Sequence, residues 1–345
     1  MSEVFKGWDW KAPTHWYKLE TVEMHTGGEP LRIIVSGIPE IPGNTMLDKR
    51  GYFRKHYDHI RSGAILEPRG HADMYGAIMT EPVDDGSDFG VFFLHNEGYS
   101  SMCGHAIIAV TTLAYQTGLV PFNKAELIFD TPAGKVRAYP NFQNGKIDGV
   151  SFRNVPSFVY FKNETIQVEG IGKVKFDIAF GGAFYALVNA SDFKLELTRA
   201  NSTKIIDLGR RIKLAIMDAY EIRHPFDEEL GFLYGTILTG KAESSANHSR
   251  NACVFANGEL DRSATGTGVS ARAALHYFNG EIGKNQKITI ESIIGTTMDV
   301  SVTEELYLGE YKAIIPEVSG RAHTSGRNTL FFDPEDPLGK GFLIR

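Results

Sequence analysis

Cysteine is scarce in this sequence of 345 residues, where only Cys103 and Cys253 occur. Two cysteines cannot form the disulfide framework of a small secreted domain. No CxxC or HxxxH spacing is present either, so the chain lacks the common zinc motifs. We therefore predict a protein with reduced thiols, no metal site and a cytoplasmic location.

Excess positive charge and long apolar runs are also missing. The chain has 36 Lys and Arg against 42 Asp and Glu, a net charge of -6, so a basic surface for nucleic acid is not expected. No stretch is long and apolar enough for a signal peptide or a bilayer span. These absences predict a globular protein that binds neither nucleic acid nor membranes, with enough residues for two domains.

Glycine, by contrast, is frequent, with 36 residues, as turn-rich β structure requires. Short β-branched and aromatic runs predict strands at 32–35, 91–94, 126–129, 136–139 and 185–188. Helices are predicted at 104–116 and 269–278, each ended by a glycine, Gly118 or Gly280. The first of them is apolar on every side and should be buried. A third, amphipathic helix is predicted at 203–220, with an inward face of Ile205, Ile206, Leu208, Ile212, Ile216 and Met217.

The two glycine-ended helices belong to an internal repeat that is anchored on Cys103 and Thr265. Six pairs match without a gap: Ser101 with Ser263, Gly104 with Gly266, Ala109 with Ala271, Leu113 with Leu275, Tyr115 with Tyr277, and Gly118 with Gly280. Farther on, the segment 129–134 resembles 290–295, shifted by one residue. Identical spacing at both helix ends favours duplication over chance similarity.

Duplication predicts two pseudo-symmetric domains, which we place at 1–175 and 176–320, with 321–345 packing back on the N-terminal domain. A ligand between the halves would meet the starts of both central helices. Positions 103 and 265 should therefore face each other across one cleft. The oligomeric state is left open by the sequence, with a homodimer as one option.

Cys103 directly precedes the buried helix, where unpaired N–H groups and the helix dipole favour an anion. Such a position lowers a thiol pKa from about 8.5 into the range of roughly 3.5 to 7.5. The alternative is a buried, inert cysteine, which is the commoner fate of a single Cys and fits Cys253 in its apolar run. The neighbouring glycine, His105 and the repeat partner at a second helix start favour a reactive Cys103.

A glycine-rich approach, Asp261 to Gly268, precedes the second helix. Glycines allow backbone amides to approach an anion, but the Lys of a phosphate-binding GxxxxGK[ST] loop is missing. A carboxylate held by amides from both helix starts is the better interpretation. His105 is either a satisfied core histidine or a donor to substrate. Asp261 either caps a turn or pairs with a cationic amine.

Four motifs together resemble the proline racemase family: MHTGGEPLR from Met24, PRGHADMYGA from Pro68, HNEGYSSMCGHA from His95 and DRSATGTG from Asp261. The likeness extends from about residue 21 to the C-terminus. It implies the α/β fold called diaminopimelate-epimerase-like, in which two pseudo-symmetric domains each wrap β-structure around a central buried helix. Family racemases and epimerases carry a cysteine in both halves, whereas Thr265 occupies the second position here.

The resemblance also implies roles for the site residues. Amides around Gly104 and His105, and around Gly266 and Thr267, would cradle a carboxylate, while Asp261 with His105 would hold a ring ammonium. Cys103 would remove the α-proton of an imino acid without any cofactor. Because a threonine is a poor proton relay, two-base racemisation is disfavoured. The expected reaction is dehydration of trans-3-hydroxy-L-proline to Δ1-pyrroline-2-carboxylate.

Two other functions fit the same motifs less well. A hydroxyproline epimerase or proline racemase would exchange the α-hydrogen with solvent and invert the centre, which position 265 argues against. A noncatalytic imino-acid-binding protein would bind the substrate without forming an imine. The intact Cys-Gly-His sequence at 103–105 argues against that alternative.

Overall fold

A computed structural model describes residues 9–344, in which eighteen strands form one continuous hydrogen-bonded sheet that encloses two of the four α-helices. The first half of the chain contains β1 (Tyr17–Thr26), β2 (Glu29–Ser36), α1 (Met46–Ile65), β3 (Gly76–Thr80), β4 (Phe89–Leu94), β5 (Tyr99–Ser100), α2 (Gly104–Gln116), β6 (Leu127–Thr131), β7 (Gly134–Gln143), β8 (Lys146–Arg153) and β9 (Ser157–Val168). All five strands predicted from the sequence are present, four of them here.

The second half contains β10 (Gly172–Phe180), β11 (Phe184–Asn189), α3 (Ser202–Ala219), β12 (Leu233–Gly240), β13 (Ser249–Phe255), β14 (Glu259–Leu260), α4 (Gly266–Phe278), β15 (Ile288–Glu291), β16 (Thr297–Leu308), β17 (Tyr311–Gly320) and β18 (Ala322–Phe332). Among the described residues, no helix is both long enough and apolar enough to cross a membrane.

The two halves repeat the same strand pairing, which confirms the duplication predicted from the sequence. β2 lies parallel to β3 and β4 parallel to β6 in the first half, while β11 lies parallel to β12 and β13 parallel to β15 in the second. Each parallel connection has a helix in the same place: α1 or α3 in the first crossover, α2 or α4 in the second.

The central helices α2 and α4 are buried as predicted. Residues 104–115 of α2 and 266–275 of α4 are all shielded from solvent. Both helices stop where a glycine adopts the left-handed conformation, at Gly118 (φ 73°) and Gly280 (φ 74°). A helix that is apolar on every side, as α2 is, must be buried, and in both halves the β-structure encloses the central helix.

Strands at the edges of the halves tie them together. β9, the last strand of the first half, pairs with β10 of the second half, and the C-terminal strand β18 pairs with β1 along ten residues of β1. β17 contacts both β8 and β9. The division of the chain at 175/176 and 320/321 stays a prediction.

The longest helix among the described residues, α1, was not predicted from the sequence. Its start is a capping box in which the Thr45 side chain accepts from the Asp48 N–H and the Asp48 carboxylate accepts from the Thr45 N–H. Arg50 and Arg61 are nevertheless buried within it, so its apolar stripe is interrupted. The amphipathic α3 was found, but Met217, predicted to face inward, is exposed.

A buried carboxylate ends the equivalent strands β6 and β15. Asp130 accepts hydrogen bonds from the Val83 and Asp84 N–H groups, at 2.9 and 3.0 Å. Glu291 accepts from the Glu243 and Ser244 N–H groups, at 2.8 and 2.9 Å. Each carboxylate thereby fixes the turn between two neighbouring strands of its own half. The sequence similarity between segments 129–134 and 290–295 therefore has a structural basis.

We predict that Glu291→Gln destabilises the protein by about 3 kcal/mol at pH 7, because it leaves buried donors, including Arg250, without a charged acceptor. These donors outweigh burial and hold the pKa of Glu291 at about 2. The contribution is therefore complete above the unfolded-state pKa near 4.5 and is lost as the pH falls from about 5 towards 2.

The measurement is urea unfolding between pH 7 and pH 3, for the parent and the variant. The exposed pair of Glu126 with Arg137 supplies the control, since Glu126→Gln should cost below about 1 kcal/mol. Equal effects of the two substitutions would contradict the structural role assigned to Glu291.

Candidate active site

The two central helices begin against each other. A Cβ atom on Gly104 would lie 2.8 Å from the Cα of Gly266, and a Cβ on Gly266 would lie 2.8 Å from the Cα of Gly104. Real Cβ atoms do not approach so closely, so only glycine fits at either position. This contact places the residues that precede the helices, Cys103 and Thr265, at the junction of the two halves.

One small cavity at this junction is lined by all seven residues singled out from the sequence: Cys103, Gly104, His105, Asp261, Thr265, Gly266 and Thr267. The other residues of its lining are Tyr75, Met102, Tyr185, Tyr234 and Phe255. We call this space the reaction cavity. Its volume is about 20 Å³, enough for about one water molecule, so its walls must separate to admit a larger ligand.

Cys103 is the N-cap residue of α2, and its Sγ lies 3.1 Å from Nδ1 of His105. Burial raises the pKa of the Cys103 thiol well above its ordinary value, and the carboxyl groups of Asp261 and Glu29 act in the same direction. The Ala106 N–H lowers that pKa but is outweighed. The lowered thiol pKa expected from the helix start is thus not produced by the protein surroundings alone.

His105 is neutral in this environment. Burial lowers the pKa of its imidazole to about 3, although the Pro30 backbone opposes the shift. The ring of Tyr75 packs edge-on against it, with 4.9 Å between centroids. Thr26 donates a hydrogen bond to the His105 carbonyl at 2.8 Å. His105 is therefore fixed beside the thiol as a neutral hydrogen-bonding partner.

Thr265 carries two signs of a functional position. Its φ angle is 69°, in the left-handed region that a β-branched residue rarely adopts. Its hydroxyl is buried beside Asp261 and Cys253, whose pKa values it lowers, yet no group among residues 9–344 forms a hydrogen bond of ordinary geometry with it. An unpaired buried hydroxyl costs free energy. Both features cost stability and lie beside the reaction cavity.

Two carboxyl groups lie behind the second helix start. Asp261 accepts a hydrogen bond from the Ser263 N–H at 2.7 Å, and burial raises its pKa. Glu29, fully buried, accepts from the Arg262 N–H at 2.7 Å, and its pKa is raised well above its ordinary value by burial and then by Asp261. The pair creates a site with acidic character that a cation would stabilise.

Glu29 and the three tyrosines of the cavity wall were not predicted as site residues from the sequence. Glu29 and Tyr75 lie within the two loop motifs that begin at Met24 and Pro68, to which no role was assigned. Tyr185 bonds to Thr267 through their hydroxyl groups at 2.7 Å, and the hydroxyls of Tyr75 and Tyr234 are 3.4 Å apart. Tyr75 directly precedes β3 of the first half, whereas Tyr185 and Tyr234 lie in β11 and β12 of the second, a proximity that no local pattern reveals.

Comparison with known families gives a match to the proline racemase model over residues 21–343. The two central helices enclosed by β-structure, and the contact between their first turns, are consistent with this match. The chain belongs to the proline racemase family.

Several relatives with close sequence similarity carry a dehydratase name. The chain is 48% identical to trans-3-hydroxy-L-proline dehydratase of Colwellia psychrerythraea, over 99% of this chain and 97% of the relative. It is 44% identical to the human protein of the same name, over 95% of each chain.

Among solved structures, a hydroxyproline epimerase from Agrobacterium vitis with bound trans-4-hydroxy-L-proline superposes with a TM-score of 0.90, at 27% identity over 96% of each chain. A PhzF-family phenazine biosynthesis protein from Bacillus anthracis, at 11% identity and a TM-score of 0.58, shows the same fold. The predicted fold class is confirmed.

We predict that Gly104→Ala lowers kcat/KM by about a hundredfold, because the new methyl group pushes the two helix starts apart and misplaces Cys103. Stability should fall by about 1–3 kcal/mol. Steady-state kinetics and thermal unfolding measure the two effects.

Gly51→Ala is the matched control, since Gly51 is also helical but a Cβ there meets nothing within 4 Å. It should leave kinetics unchanged and stabilise α1 slightly, by about 0.5–1 kcal/mol. Normal activity of Gly104→Ala would show that the helix contact does not set the geometry of the cavity.

Proposed function

We propose that this chain dehydrates trans-3-hydroxy-L-proline to Δ1-pyrroline-2-carboxylate and water. The observation that carries the proposal is the asymmetry of the reaction cavity, with a thiol at one helix start and a threonine hydroxyl at the other. The dehydratase names of the relatives agree with it. The reaction is that of a carbon–oxygen lyase acting on a small imino acid.

The substrate carboxylate would bind to amides of both helix starts. Intrahelical hydrogen bonding begins with Ile107 N–H to Cys103 C=O in α2 and with Val269 N–H to Thr265 C=O in α4. The N–H groups before those, including Gly104, His105, Gly266 and Thr267, therefore have no intrahelical acceptor. Removal of the α-proton moves charge onto the carboxylate, so these amides stabilise the transition state more than the ground state.

The ring ammonium of the substrate would lie near Asp261, with which it forms an ion pair. Its positive charge also opposes the burial that keeps the Cys103 thiol protonated. An opposite charge within about 4–6 Å favours the ionised form of a thiol. Substrate binding and formation of the thiolate are thus coupled, and the base forms only when the proton it is to remove is present.

The reaction then needs one thiolate. Cys103 Sγ takes the α-proton, the electrons of the C–H bond form the C2=C3 double bond, and the C3–O bond breaks. The departing hydroxyl takes the proton back from Sγ and leaves as water, which regenerates the thiolate. Because the α-hydrogen and the 3-hydroxyl share one face of the ring, the same thiol can serve both steps. The resulting enamine tautomerises to the cyclic imine.

Thr265 separates this activity from epimerisation. Inversion requires a proton donor on the face opposite the base, and a threonine hydroxyl does not exchange protons readily at neutral pH. The unpaired hydroxyl of Thr265 instead offers a hydrogen bond to a bound ligand. Hydroxyproline epimerisation is therefore the weaker candidate despite the structural likeness to an epimerase.

The decisive assay incubates the purified protein, without added cofactor, with trans-3-hydroxy-L-proline, its 4-hydroxy isomer and L-proline. Imine should form from the first compound alone, with and without a chelator. Inversion of the others without imine formation would favour the epimerase. The absence of any cofactor or metal requirement, the cytoplasmic location and the homodimer stay predictions.

We predict that Cys103→Ser abolishes dehydration, by at least about a thousandfold in kcat, while substrate still binds, because an alcohol does not form the required base. Imine formation and isothermal titration with substrate are the measurements. Cys253→Ala is the control, since Cys253 is buried in β13 and should affect stability more than turnover. Full activity of Cys103→Ser would refute its assignment as the base.

We also predict that Thr265→Cys gains epimerase activity. A second thiol opposite Cys103 can return a proton to the far face, so proline or 4-hydroxyproline should exchange the α-hydrogen with solvent and invert. Dehydration of the 3-hydroxy substrate should continue, because Cys103 and the amides are unchanged. Deuterium incorporation and optical inversion are measured beside the parent. A folded, substrate-binding variant with neither property would show that a second thiol is not what separates the two reactions.

A further inference from the structure

A larger cleft adjoins the reaction cavity. It has a volume of about 440 Å³, and Tyr234 lines both spaces. Its sides come from equivalent helices of the two halves, with Arg50 and Arg54 on α1 and Lys213 and Met217 on α3. We call it the outer cleft. The reaction cavity has a volume of only about 20 Å³. A ligand in the outer cleft is therefore separated from Cys103 by the inner wall, which includes Tyr234 and Tyr75.

His95 contributes an unpaired donor to the lining of the outer cleft. Its Nδ1 accepts hydrogen bonds from the Glu97 and Gly98 N–H groups, at 3.2 and 3.1 Å. The hydrogen of the neutral ring therefore lies on Nε2, on the opposite edge. Nε2 is buried and forms no hydrogen bond of ordinary geometry among residues 9–344, although the Tyr99 backbone interacts with the ring. A buried N–H without a partner is costly, and a bound acceptor would remove that cost.

The His95 ring remains neutral, because burial lowers its pKa to about 3, against the effect of the Tyr99 backbone. It packs against the inner wall, with ring centroids 5.6 Å from Tyr234 and 6.2 Å from Tyr75. Both tyrosines also line the reaction cavity. A ligand bound at His95 is thus in contact with the wall that must move.

Positive charge is in excess in the outer cleft. Three cationic side chains line it, Arg50, Arg54 and Lys213, and two anionic ones, Glu97 and Glu229. Arg50 pairs with Glu229 at 2.6 Å, and Lys213 lies 3.6 Å from Glu97 and donates to the Ala256 carbonyl at 2.9 Å. These pairs leave the exposed Arg54 as the cation available at the rim.

We propose that the outer cleft is a binding site for a small carboxylate, held by Arg54 and the His95 Nε2–H, from which the imino acid passes Tyr234 into the reaction cavity. The identity of this ligand as the substrate rests on the proposed function. The site itself rests on the unpaired donor, the excess cation and the shared wall. It recognises the carboxylate before the helix-start amides do.

The test uses the full chain with nitrogen-15-labelled histidine, and acetate or L-proline as the probe. Each probe should shift the NMR signal of the His95 Nε2–H. Arg54→Gln should weaken this binding about five- to tenfold, as the loss of one charge-assisted contact would. Lys55→Gln is the matched control, because Lys55 is the next residue on α1 and does not line the outer cleft. It should behave as the parent.

Kinetics provide the second readout. Arg54→Gln should lower kcat/KM for the 3-hydroxy substrate by a similar factor, mostly through KM, whereas Lys55→Gln should not. An unshifted His95 signal, or equal acetate affinity in the two variants, would overturn the outer site. A parent protein that binds acetate at His95 but forms no imine would refute the proposed function and leave the outer site standing.

Discussion

The contact between Gly104 and Gly266 is the constraint on which the rest of the structure depends. Helices rarely meet by their N-termini, because the partial positive charges of their first turns repel each other. Here two buried helices do so, with only glycine small enough at the point of contact. An anion shared by both first turns turns this repulsion into attraction, so a fold built around this contact is suited to a carboxylate ligand.

Duplication provides that contact and the surrounding β-structure stabilises it. Both central helices are buried and must be enclosed, and the exchange of β9 and β18 between the halves links the two enclosures. The wall of the reaction cavity therefore includes side chains from both halves, such as Tyr75 and Tyr185. A ligand that enters must separate surfaces that the strands hold together at their edges.

The two halves have equivalent backbones, but the side chains at their helix starts differ in chemistry. The thiol and the strained threonine occupy equivalent positions, yet only the thiol can act as a base near neutral pH. Burial raises the pKa of that thiol, and in the proposed reaction the substrate ammonium opposes this effect. Under the proposed function, selectivity for an ammonium-bearing acid and the choice of dehydration over inversion follow from these two side chains and the burial of the cavity.

The sequence determined the central helices, the repeat and the pairing of Cys103 with Thr265, because each of these depends on local periodicity or on equal spacing along the chain. It also identified seven of the twelve residues that line the reaction cavity. It could not reveal α1, since buried arginines interrupt its apolar stripe and bond instead to distant groups, as Arg61 does to the His95 carbonyl. Tertiary structure alone decided the state of the thiol. The helix start and the Tyr75 hydroxyl favour its ionisation, but burial opposes it more strongly, together with Asp261 and Glu29, which are far apart in sequence.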